Sequence, residues 1–135
     1  MVEILLMNFI YVLVIDFGAK EGYEVLKGII DSDEGSKRLG EVALIPYHSP
    51  INELKTLFYN TLYDENASCH MALGIGFSEC IKGGIDMDKK ELFEKGVNDS
   101  LVHVDFMMGT EDLMIDGILE DGSHVKIFEN GNFVF

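Results

Sequence analysis

Positive charge is scarce in this sequence. Ten lysines and arginines stand against 24 aspartates and glutamates, a formal net charge of −14. A surface this acidic repels phosphate backbones and anionic lipid headgroups, so neither nucleic acid nor a membrane surface is expected as a partner. Cationic groups and divalent metals held by carboxylates are compatible with it. Cysteine is also rare. Cys69 and Cys80 are too few for a disulfide framework. Cys69, flanked by Ala67 and Ala72, reads as a small buried residue rather than a nucleophile. A spanning helix needs about 20 apolar residues, and the longest run, Ile4 to Ile15, is broken by Asn8 and Tyr11 and stopped by Asp16. The N-terminus has neither the basic segment nor the small-residue cleavage site of a secretory leader, so a reduced, cytoplasmic protein is expected. Phosphate-cradling glycine loops are lacking too: Gly74-Ile75-Gly76 has no third glycine at the required spacing.

What is present is a core-former's composition. At 135 residues and 47% hydrophobic, one domain spanning residues 1–135 is expected. The N-terminal apolar run is β-branched and aromatic, which suits a buried strand or two short ones. Ala19 to Ile30 reads as a helix, followed by a polar turn at Asp31–Ser36. Val42 to Ile45, ended by Pro46, reads as a strand buried on both faces. Asp88, with Glu91 three residues on, caps a short helix that Gly96 stops. Leu113 to Leu119, His124 to Phe128 and Asn132 to Phe135 read as a meander, with turns at residues 120–123 and 129–131. The fold class is therefore α+β, with a mixed, mainly antiparallel sheet and a few short helices. His124 and the acidic cluster Asp112, Asp116, Glu120 and Asp121 read as solvated surface, since calcium-loop spacing is absent.

Chemistry concentrates elsewhere. Leu57 to Gly74 packs Asn60, Thr61, Tyr63, Asp64, Glu65, Asn66, Ser68 and His70 between apolar anchors, and so much polarity in a partly buried segment needs partners. Asp64 or Asn66 is read as the cap of a helix running through His70 to about Gly74. Glu41 stands at the entrance to the Val42–Ile45 strand, where a carboxylate is paired, metal-bound or reaching water. In Ser100 to Met108, strand alternation puts His103 and Asp105 on one face, two residues apart. Glu41, His70, His103 and Asp105 together offer two imidazoles and two carboxylates. That mix suits zinc, cobalt or manganese better than calcium. An internally satisfied loop and a half-exposed strand are the alternatives.

The phrases LGEVALIP, FYNTLYDENASCHMALG and SLVHVDFMMGT with DLMIDGILEDG closely resemble the C-terminal half of the thermophilic metallo-aminopeptidases of the aminopeptidase T and aminopeptidase S (PepS-type) family. The likeness runs from about Val12 to Phe135. It implies hydrolysis of N-terminal residues from peptides by a two-metal centre of zinc, cobalt, manganese or magnesium, with ligands at Glu41, His70, His103 and Asp105. It also implies a homodimer. The family's further glutamates, and the separate N-terminal domain before them, have no counterpart in this sequence, so a truncated enzyme or one completed by a separate N-terminal half is expected. The position of a family tyrosine held to stabilise the transition state is Phe77 here. The alternative is a non-catalytic remnant that binds metal or dimerises.

Overall fold

Tyr11 and Val12 interrupt the N-terminal apolar run, and the chain reverses there. In the computed structural model, which describes residues 2–135, strands β1 (Glu3–Ile10) and β2 (Leu13–Glu21) form an antiparallel hairpin in register from Glu3↔Glu21 to Ile10↔Leu13, with a bulge at Asn8/Phe9. Alternation places Leu5, Met7 and Phe9 on the half-buried side. Ile4, Leu6 and Ile10 face out, 72%, 60% and 54% exposed. The expectation of a buried strand therefore holds for one face only.

Helix α1 covers Tyr23–Ile30 rather than starting at Ala19. Ala19 and Glu21 stay paired with Leu5 and Glu3, and Gly22, at φ 76°, makes the turn between strand and helix. Leu26 and Ile30 are buried, and the Phe17 and Tyr23 rings stack with centroids 5.6 Å apart.

The chain divides into two compact units, one taking residues up to Glu41 and Ala72–Val104, the other Val42–Met71 and Asp105–Phe135. In the first unit the polar turn after α1 is built on Asp33. Its carboxylate accepts the N–H groups of Gly35 and Ser36 at 2.8 Å each, the Ser100 hydroxyl at 3.0 Å and the Leu101 N–H at 2.7 Å. The Leu101 N–H above all, helped by the Ser100 hydroxyl and the two local N–H groups, holds this carboxyl below its ordinary value of 3.8, against desolvation, the second-largest influence, which opposes them. A carboxyl whose pKa is lower folded than unfolded contributes stability that is complete above the unfolded value and is lost as pH falls through the folded one. Asp33→Ala should accordingly lower the melting temperature at pH 7 by about 5 °C. In melts of both proteins across pH, that gap should close as pH drops below 3.8; a gap independent of pH would contradict this account.

Lys89–Glu94 forms α4 with the expected capping box: Asp88 accepts the Glu91 N–H, and Glu91 accepts the Asp88 N–H at 2.9 Å. Gly96 follows at φ 91°.

Strands β3 (Leu39–Ala43), β4 (His70–Gly74) and β5 (His103–Met107) form one sheet in the order β3-β4-β5. Within the first unit, the Gly74 N–H donates to Arg38 O and the Ile75 N–H to Val102 O. Within the second, Cys69 Sγ meets the backbone of Ile45, and the Met108 N–H donates to Cys69 O. Residue numbers rise on one strand as they fall on its neighbour, so β4 is antiparallel to both. Val42 is 57% and Leu44 39% exposed, which corrects the reading of a strand buried on both faces: this segment alternates.

The second unit also holds two one-turn helices, α2 (Pro50–Glu53), capped by Ser49, and α3 (Thr61–Asp64), capped by Asn60. The expected meander is present as β6 (Ile115–Ile118), β7 (His124–Glu129) and β8 (Asn132–Phe133). Its last turn is Asn130–Gly131, with φ 50° and 71°, the pair of positive angles that tight hairpins need. Phe128 is fully buried against Phe133, ring centroids 4.3 Å apart.

Candidate metal centre

The four residues singled out in the sequence all lie on the β3-β4-β5 sheet. Glu41 is on β3, His70 opens β4, and His103 and Asp105 alternate on β5. One correction concerns His70. The helix expected to carry it stops short: α3 and a 3-10 turn end at Ala67, and Ser68 is extended at φ −159°. Neither Asp64 nor Asn66 caps a helix: Asn60 caps α3, and Asp64, its last residue, accepts the Phe58 and Asn60 N–H groups upstream. Ser49 Oγ donates to Asn66 O and Ala67 O, and Cys69 O receives the N–H groups of Met108 and Gly109. Those partners take the backbone groups a continuing helix would use. His70 thus enters a strand and is 2% exposed.

In the first unit, His103 Nε2 lies 3.1 Å from Glu41 Oε2, both side chains about one-quarter exposed or less. The other ring nitrogen, Nδ1, is 2.8 Å from Ile75 O. A carbonyl only accepts, so Nδ1 carries the hydrogen. In the neutral ring the Nε2 lone pair then faces a carboxylate oxygen, and two acceptors at that distance require a proton or a cation to hold them together. Phe77 packs on the His103 ring at 4.8 Å between centroids, tilted 50°. Glycine makes the local backbone approach possible. A Cβ on Gly74, at φ 105°, would lie 1.9 Å from Val102 O, and one on Gly40 would lie 2.3 Å from Gly74 O.

In the second unit, His70 Nδ1 is 3.0 Å from Ser68 O, which likewise assigns the hydrogen to Nδ1 and leaves Nε2 as the ring's donor atom toward a metal. Asp105 sits in a groove of about 510 Å³ with Leu57, Tyr59, Glu65, Ala67 and Met107 among its lining. The two backbone carbonyls that orient the histidines, Ile75 O and Ser68 O, leave no trace in a sequence, because every residue type carries one.

The residues fit a divalent metal by their chemistry. Glu41, His70 and Asp105 each offer one suitable atom, two carboxylate oxygens and a ring nitrogen. Holding the second nitrogen of an imidazole by a backbone carbonyl is the usual way a metal-binding histidine is oriented. A mixed oxygen–nitrogen donor set of this kind suits a divalent metal. The chain belongs to the thermophilic metalloprotease (M29) family, which matches residues 2–133. It is 54% identical over 122 residues to Aminopeptidase 2 of Geobacillus stearothermophilus and 44% identical over 120 residues to Aminopeptidase T of Thermus aquaticus. Those alignments cover 90% and 89% of this chain but 30% and 29% of the relatives. A solved structure titled wild-type AmpT from Thermus thermophilus matches with a TM-score of 0.87 and 40% identity, covering 99% of this chain and 32% of that one. The chain therefore spans just under a third of the length of the relatives it matches. Among the described residues, no helix is long and apolar enough to cross a membrane.

Proposed function

We propose that this chain carries part of the metal centre of an aminopeptidase, a hydrolase that removes N-terminal residues from peptides, with Glu41, His70, His103 and Asp105 as metal ligands. The observation that carries the reading is the shared tautomer of the two histidines, each ring anchored through Nδ1 to a backbone carbonyl, with Nε2 directed elsewhere. Zinc, cobalt, manganese or magnesium fits the donor set, two ions to a complete centre. When bound, such a metal polarises the scissile carbonyl and activates a water. The chain's own residues hold and orient: Ile75 O fixes the His103 ring, Ser68 O fixes that of His70, and the Phe77 ring keeps water from one side of His103. Further ligands of a complete centre come from outside these 135 residues, from a separate N-terminal half or another segment, and the assembled enzyme is a cytoplasmic homodimer.

Calorimetric titration of zinc and cobalt into the chelator-treated chain tests the reading. Binding of either metal with micromolar or tighter affinity is expected. Absence of binding by both metals would sink it.

A further inference from the structure

We infer that the groove beside Asp105 receives the first residue of the substrate peptide, its side chain on the apolar wall and its free ammonium against Glu65. This rests on the aminopeptidase reading and adds to it a substrate preference, for an apolar N-terminal residue. The groove, about 510 Å³, falls in the range of about 300–1,000 Å³ common to small-molecule sites. Its wall is apolar at Leu57, Ala67 and Met107, and its polar side is acidic, with Asp64, Glu65 and Asp105. No basic residue lines it.

That pairing of surfaces fits one part of a peptide better than any other. Only the first residue carries a positive charge and a side chain on the same carbon. Another groove, of about 250 Å³ beside Phe77, is smaller, and its lining holds the Lys89–Asp99 ion pair together with Glu79. Asp105, a proposed metal ligand, lines the same groove as Ala67 and Met107.

The groove is preformed. Asp64 accepts the Phe58 N–H through one carboxylate oxygen and the Asn60 N–H through the other, at 2.8 and 2.9 Å. These two bonds bracket Tyr59 and hold it at φ 56°, a left-handed conformation that a tyrosine rarely adopts. Strain of this kind persists where the surroundings over-determine it and gathers at ligand clamps. Tyr59, 90% exposed, stands at the rim.

The test is calorimetric binding of L-leucinamide, glycinamide and N-acetyl-L-leucinamide to the full 135-residue chain, with and without zinc. Zinc affinity is read separately by competition with a chelator. Burial of a leucine side chain predicts at least tenfold tighter binding of leucinamide than of glycinamide, and removal of the ammonium predicts at least a tenfold loss for the acetylated amide. Ala67→Phe fills the groove and should bring leucinamide down to the level of glycinamide with zinc affinity unchanged. Leu57→Ser, at a residue already 61% exposed and so safe for the fold, should weaken leucinamide about threefold and leave glycinamide alone. Glu65→Gln should reduce the discrimination between free and acetylated amides. Equal binding of leucinamide and glycinamide, in either metal state, overturns the groove assignment. Failure to bind zinc strikes only the metal reading, because the amide comparison stands without it.

Discussion

His103→Ala is expected to weaken zinc binding by more than about a hundredfold, since disturbing only the partners behind a ligand already costs about 10–100-fold. His103 Nδ1 is committed to Ile75 O at 2.8 Å, so the ring presents Nε2, and that nitrogen sits 3.1 Å from Glu41 Oε2. The substitution removes a nitrogen donor and also what holds the carboxylate and ring together. His103→Gln, which can still accept a hydrogen bond but is a poor zinc ligand, should bind zinc as weakly as His103→Ala while melting closer to wild type in the metal-free state. A His103→Ala protein that bound zinc like wild type would remove His103 from the ligand set.

Phe77→Tyr is the second large effect, and it is a gain. Phe77 packs 4.8 Å from the His103 ring and is 47% exposed, so a hydroxyl added at the para position enters solvent-accessible space beside that histidine without displacing a buried group. One well-placed donor to a developing oxyanion is worth about 10²–10³ in kcat. The measurement needs a chain long enough to turn over substrate. Grafting the 122 matched residues in place of the corresponding segment of Aminopeptidase 2, to which they are 54% identical, provides one. The graft carrying Phe77 should hydrolyse leucine p-nitroanilide about a hundredfold more slowly than the graft carrying Phe77→Tyr, with KM little changed, since a hydroxyl serving only the transition state does not alter substrate binding. Equal kcat values would leave the Phe77 position without a part in the chemistry.

Several local features are legible in the sequence alone. The Asp88/Glu91 capping box and the Asn130–Gly131 turn form as the residues dictate, because each is settled by neighbours three residues away or fewer. The His103 and Asp105 alternation likewise needs only the twofold period of a strand. Less legible was the path into His70. The cap expected at Asp64 or Asn66 is Asn60 instead, and Asp64 binds the backbone of Phe58 and Asn60. The helix nevertheless ends before His70, since Cys69 O is claimed by Met108 and Gly109, nearly 40 residues further on. A propensity read in a window carries no information about a partner at that separation. The exposure of Val42 and of one face of β1 was missed for a related reason. An apolar run looks the same whether one or both of its faces are covered.

By itself, the sequence determined the acidic surface, the α+β class, the Asp88/Glu91-capped helix and the C-terminal meander. These follow from composition and from interactions between near neighbours. Tertiary structure alone decided that His70 belongs to a strand, that Glu41 lies against His103, and that Ile75 O and Ser68 O choose which nitrogen of each imidazole keeps its hydrogen. That choice rests on a backbone carbonyl arriving within 3 Å of a ring, and only the folding of the chain brings it there.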